Sequence, residues 1–111
     1  MQVLRIGLVG AGGMGKVHIA NYAHIDGCRI AALCDASPAS AQTAAELGVP
    51  HYADLAEMLD REPLDVVDVC TPTFLHKTHV MTALAAGKNV ICEKPLALHR
   101  ADAAEMIAAA E

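Results

Sequence analysis

Near the start of the chain, Gly10-Ala11-Gly12-Gly13-Met14-Gly15 fits the pattern G-x-G-x-x-G, and Asp35 follows Gly15 by twenty residues. Glycine-rich turns are common, so the pattern alone says little. Its setting says more. The branched apolar run VLRIGLV precedes it, a helical pattern follows, and Asp35 closes the next apolar run. Between a strand and a helix, such a turn can hold a diphosphate. Gly10 permits the tight turn, Gly12 lets backbone approach the phosphates, and Gly15 lets the helix pack on the strand. The helix N-terminus then offers free N–H groups and a positive dipole end. An acid at the spacing of Asp35 accepts hydrogen bonds from ribose hydroxyls, so the constellation predicts a dinucleotide site.

The carboxylate of Asp35 repels a 2′-phosphate, and Ala36 and Ser37 supply no arginine to hold one. The expected cofactor is therefore NAD, with NADP the second choice. A Walker-type loop is disfavoured, because Lys16 lacks that motif's spacing and its Ser/Thr. Farther along, Thr71-Pro72 and Glu93-Lys94-Pro95 close two more apolar runs. In an open parallel sheet the ligand lies beyond the carboxyl ends of the strands. Lys94 there would face the reacting half of the cofactor, where an ammonium can stabilise charge developing on a substrate oxygen. A plain surface lysine is the competing reading.

The elements that would position these groups alternate regularly. Short apolar runs at 3–9, 29–34, 51–53, 65–70 and 89–92 read as strands. Helical patterns fill 14–24, 37–47, 54–62, 76–86 and 99–111. Val17, Ala20, Tyr22 and Ala23 are expected on the inner side of the first helix. Ser37 is the candidate cap of the second and Asp54 of the third, and Gly48 and Gly87 are candidate C-terminal stops. Ala103, Met106, Ile107 and Ala110 share a face of the last helix. Strand and helix in alternation predict an α/β fold, a three-layer doubly wound parallel sheet of Rossmann type, with five strands in the order 3-2-1-4-5.

The totals set limits on other functions. The 111 residues are 54% hydrophobic with no Trp, and the formal net charge is −5. One domain is expected over residues 1–111, without the basic footprint of a nucleic-acid binder. No apolar run reaches the ~18 residues of a membrane span, and glycines interrupt the N-terminus too early for a secretion signal. The expected compartment is the cytoplasm. Cys28, Cys34, Cys70 and Cys92 lack CxxC spacing, so buried free thiols are expected rather than a zinc site or disulfides. His76-x-x-His79 lacks a third metal ligand, so a cap-region or solvated pair is expected and no metal. His18 is expected to pack or hydrogen-bond locally.

Three segments together resemble a known family. They are Ile6 to Gly15 with His18, Cys70-Thr71-Pro72-Thr73-Phe74-Leu75-His76, and the stretch from Ala86-Gly87-Lys88-Asn89-Val90 to Glu93-Lys94-Pro95-Leu96-Ala97. They are similar to the glucose–fructose oxidoreductase/inositol dehydrogenase family (Gfo/Idh/MocA) over essentially the whole chain. The resemblance implies a two-domain enzyme that transfers hydride between NAD(P) and a sugar or cyclitol hydroxyl or ketone. Gly10, Gly12, Gly13, Met14 and Gly15 would cradle the pyrophosphate, and Asp35 would hold the adenosine ribose. Thr71, Pro72 and His76 would line the nicotinamide side. Glu93 and Lys94 would stand at the reacting centre, with Lys94 on the substrate oxygen as the catalytic candidate.

Such proteins usually have a sixth strand and a C-terminal substrate domain. The chain is therefore expected to be the cofactor half, able to bind NAD but catalytically incomplete. Exposed apolar surface at the fifth strand and last helix would favour self-association. A non-enzymatic NAD-sensing module is one alternative, which Lys94 argues against. A reductase of the biliverdin or dihydrodipicolinate type is another, which the E-K-P and T-P-x-x-x-H pair argues against.

Overall fold

Two-sided burial decides the character of strand β1 (Leu4–Val9), where Leu8 and Val9 are almost wholly enclosed. A strand covered on both faces belongs in the middle of a parallel sheet. In this computed structural model, which describes residues 2–111, β1 holds that place. β2 (Cys28–Cys34) and β3 (His51–Tyr52) lie to one side, and β4 (Val66–Val69) and β5 (Asn89–Cys92) to the other. All four pairings are parallel, and the order β3-β2-β1-β4-β5 is the one expected.

Helices α1 (Gly13–Tyr22) and α2 (Ala39–Leu47) cover one face, packing Ile19 and Ala44 against Leu8 and Leu33. On the other face, α3 (Leu55–Arg61), α4 (Thr73–Ala85) and α5 (Arg100–Ala110) bring Met58, Val80, Ala83 and Met106 onto Val9, Val67 and Val69. The result is a three-layer Rossmann arrangement. No helix among the described residues is long and apolar enough to cross a membrane.

Three local expectations are corrected. Val17, Ala20 and Ala23 of the first helical region face solvent, and Gly15, His18, Ile19 and Tyr22 turn inward instead. These four follow the i, i+3, i+4, i+7 rhythm of one helix face. The small apolar residues had drawn the phase the wrong way. Ser37 does not cap α2. The cap position falls at Pro38, and Ser37 gives its N–H to Asp35 Oδ1 at 2.8 Å, the local bond an aspartate makes two residues on. Helix α4 starts at Thr73, directly after Pro72, so His76 lies a turn inside it. Asp54 does cap α3, accepting from the Glu57 N–H, and Gly48 and Gly87 take the left-handed conformation that ends a helix.

Candidate functional site

The carboxyl ends of β1, β2 and β4 border a cavity of about 730 Å³. Gly10, Gly12, Gly13, Met14, Asp35, Thr71 and Pro72 line it; type and position had pointed to Gly10, Gly12, Asp35 and the Thr71-Pro72 strand end, and the family resemblance to Gly13 and Met14. The loop that forms the floor is tightly specified. Gly10 has φ +95°, and a Cβ there would stand 2.8 Å from the Cys70 carbonyl carbon. A Cβ on Gly15 would meet the Gly10 carbonyl oxygen at 2.0 Å. Gly12 and Gly13 have nothing within 4 Å of where a Cβ would stand. Two glycines thus serve the packing of loop on strand, and two leave open space over the helix start, where no side chain caps α1.

Asp35 is bound into this loop. Its Oδ2 accepts from the Ala11 N–H at 2.7 Å and its Oδ1 from the Ser37 N–H at 2.8 Å. Each oxygen keeps a lone pair for a further donor, so the carboxylate fixes the loop while still facing the cavity.

Thr71 is held by two histidines. The buried His76 points Nε2 at the Thr71 carbonyl (2.7 Å) and Nδ1 at the carbonyls of Pro95 (3.0 Å) and Leu96 (3.2 Å). A carbonyl oxygen only accepts, so the nitrogen that carries the proton donates, and the ring stands between the loop after β4 and the loop after β5. His76 therefore stands behind the cavity wall, not in it. His79 bonds Thr71 Oγ1 through Nδ1 at 2.9 Å and does line the cavity. Burial, and then the neighbouring His76, hold its pKa below the usual histidine value. The pair is neither a solvated pair nor a simple cap, as the sequence had implied.

The largest departure lies beneath the β4–β5 end. Alternation along β4 sends Val67 and Val69 to the α3–α4 face and Asp68 to the α1 face, where it has no exposed surface. There Asp68 Oδ2 meets His18 Nδ1 at 2.5 Å and accepts from the Tyr22 hydroxyl at 2.7 Å. The Cys70 thiol reaches Oδ1 at 3.5 Å. His18 Nε2 bonds Glu93 Oε1 at 2.9 Å, so one imidazole spans α1, β4 and the end of β5. Burial works against charge on His18, but the hydrogen bonds to Asp68 and Glu93 and their negative charges raise its pKa overall. Glu93 is lowered in turn, chiefly by its bond to His18.

Sequence reasoning missed this network, having placed His18 in a local role. The signal was available: an aspartate in the middle of a doubly buried strand demands partners. His18 and Tyr22, four apart, are the polar side chains that α1 presents inward.

His18, Asp68 and Cys70 bring ligand-type atoms within 4.8 Å of one another, a grouping the sequence had not led us to expect. Hydrogen bonds account for these atoms without an ion. Burial and Asp68 push the Cys70 thiol far up, and Cys70 and Asp68 compete for the same His18 nitrogen. Both effects favour the neutral thiol over an activated thiolate of the Cys-His type. All four cysteines are free thiols, Cys34 fully buried and the others half-buried. Lys94 is exposed at the end of β5, and neither it nor Glu93 borders the cavity that this chain encloses.

Sheet order, glycine loop and the acid at the end of β2 together define a dinucleotide-binding domain of the Rossmann class. More narrowly, residues 4–111 match the Gfo/Idh/MocA model, described as an oxidoreductase family with an NAD-binding Rossmann fold, and the chain belongs to that family. It is 42% identical over 106 residues to D-apiose dehydrogenase of Paraburkholderia graminis, covering 94% of this chain and 28% of that protein. Inositol 2-dehydrogenase of Arthrobacter sp. is 39% identical, with 86% and 29% covered. The WlbA dehydrogenase of Bordetella pertussis, solved with NADH and UDP-GlcNAcA, superposes with a TM-score of 0.93 at 33% identity, over 98% of this chain and 34% of that one. The chain thus spans about a third of the length of the relatives it matches.

Proposed function

We propose that this chain binds NAD along the carboxyl ends of β1, β2 and β4, as the cofactor domain of an oxidoreductase acting on a sugar or cyclitol. The observation that carries the reading is the cavity itself, in which the open Gly12-Gly13 stretch and the Asp35 carboxylate share one wall. Phosphate oxygens fit against the N–H groups at the start of α1, and ribose hydroxyls donate to Asp35. When bound, the nicotinamide supplies hydride chemistry. The residues of this chain bind and orient it, and Thr71 and Pro72 flank it.

In the same reading, Lys94 donates a hydrogen bond to the substrate oxygen and steadies its developing negative charge. Glu93, fixed by His18, keeps a carboxylate beside that lysine, while His76 braces the loops behind them. Residues 1–111 act as one dinucleotide domain, and the whole protein joins it to a substrate domain in the cytoplasm. Relatives named for apiose and inositol support a polyol-type substrate.

Titrating the chain with NADH and with NADPH, followed by nicotinamide fluorescence, tests the cofactor assignment. Saturable binding with NADH preferred is expected, and no binding of either would overturn it. The apolar groove beside β5, lined by Val90, Leu96, Met106 and a half-exposed Ile107, supports self-association of the isolated chain. A monodisperse monomer in sedimentation at high concentration would refute that.

A further inference from the structure

Both ring nitrogens of His18 face carboxylates, Asp68 Oδ2 at 2.5 Å from Nδ1 and Glu93 Oε1 at 2.9 Å from Nε2. The two acids are unlike. The Asp68 side chain has no exposed surface, whereas that of Glu93 is 20% exposed. A charged ring donates to both at once, but a neutral ring has one N–H and serves only one. Deprived of that donor, buried Asp68 has no water to replace it, and an unpaired buried charge is costly. Glu93 can turn to solvent. The ring proton therefore has a preferred side.

We propose that His18 is a proton-linked positioning residue for Lys94: the ring loses its proton from Nε2 to water, Nδ1–H stays on Asp68, and Glu93 with Lys94 is released. The inference rests on the reading of Lys94 above and adds the residue that holds it in place. Around the ring, the other titratable groups are the Tyr22 hydroxyl from α1 and the Cys70 thiol after β4. Burial, and then Asp68, raises the pKa of each, so both stay neutral near pH 7. Glu93 is ionised there. Its bond to His18 is the chief cause that lowers it, and the charge on His18 adds to this, followed by the backbone N–H and the charge of Lys94. One carboxylate thus answers to the imidazole on one side and to Lys94 on the other. A bare Nε2 presents a lone pair to that carboxylate and repels it, so Lys94 loses its fixed neighbour as pH rises through the His18 titration.

Nitrogen-15 shifts of the His18 ring and of the Lys94 amide, followed through pH in the chain without cofactor or substrate, test the coupling. Above the midpoint Nε2 should show the shift of a bare ring nitrogen and Nδ1 that of an N–H. The Lys94 amide should move with the same midpoint, which a ring that merely held the fold would not cause. Glu93→Gln keeps the shape of the side chain and removes its charge. It should abolish the Lys94 step while His18 still titrates beside Asp68, at a lower midpoint. A proton that remains on Nε2 above the midpoint overturns the proposal, as does a ring that stays charged until the chain unfolds. So does a Lys94 amide that ignores His18 in the wild type, or a step that survives Glu93→Gln. Each of those results leaves NADH binding and the role of Lys94 standing. Conversely, a whole protein that kept its activity with Lys94→Ala would remove that role and leave the coupling intact.

Discussion

His18 Nε2 lies 2.9 Å from Glu93 Oε1 while its Nδ1 lies 2.5 Å from Asp68, joining three elements 50 and 75 residues apart in the chain. Charge on the ring sits between two carboxylates, and this sets a pH window. His18 is raised above 6.5, so its contribution is complete below that value and is lost as pH rises through the raised pKa. Glu93 is lowered from 4.5, so its contribution is complete above that value and lost as pH falls through the lowered pKa. The network is therefore strongest between these limits. Urea unfolding should show stability declining on the alkaline side of the His18 titration. His18→Asn should flatten that limb and remove about 2 kcal/mol near pH 6, the scale of hydrogen bonds to charged groups. An unchanged alkaline limb would mean that His18 carries no shifted proton.

The loop glycines divide into two classes that mutagenesis can separate. Gly15→Ala would drive a methyl to 2.0 Å from the Gly10 carbonyl oxygen, and Gly10→Ala adds a Cβ at positive φ against the backbone at Cys70. Each should cost about 2–3 kcal/mol of stability. A Cβ at Gly12 meets no protein atom within 4 Å, so Gly12→Val should leave stability within about 1 kcal/mol while abolishing NADH binding, because the side chain fills the phosphate approach. Thermal melts and titrations of the three variants check the split. A Gly12→Val chain that still binds NADH would show that the phosphates lie elsewhere.

These contrasts show what was legible beforehand. The parallel sheet, its order and the loop with Asp35 follow from periodicity and from turn chemistry fixed within a few residues. The network around Asp68 was harder to see, because its members lie on three elements and meet only once α1 takes its true phase. Alanines and Val17 suggested an inner face that they do not occupy, since α1 leaves them in solvent. His76 was placed at the cofactor from the motif alone. Only the crossing of the two loops shows it set among three carbonyls behind the wall.

Thiol chemistry gives an independent reading of burial. Burial is the main cause that lifts Cys34 to about 12 and Cys92 to about 11, and it lifts Cys70 further with the help of Asp68. Thiolate is the reactive form. At pH 7.5 these three should alkylate slowly in the native chain and readily in urea, as mass spectrometry of labelled peptides would resolve. Fast native labelling of Cys70 would contradict the packing around Asp68.

Asp35 should show two separable losses on mutation to alanine. Its carboxylate anchors the Ala11 and Ser37 N–H groups at 2.7 and 2.8 Å, so Asp35→Ala should cost about 1–2 kcal/mol of stability. It also faces the cavity, where it favours ribose hydroxyls and opposes a 2′-phosphate. NADH affinity should therefore fall about tenfold, the equivalent of 1.4 kcal/mol. NADPH affinity should fall less or rise, because the loss of loop order is offset by the loss of repulsion. Asp35→Asn keeps the shape and part of the hydrogen bonding but removes the charge, so it should recover stability while still narrowing the NADH preference. Should Asp35→Asn leave the NADH-to-NADPH ratio at its wild-type value, the carboxylate serves the loop alone and some other group must read the ribose.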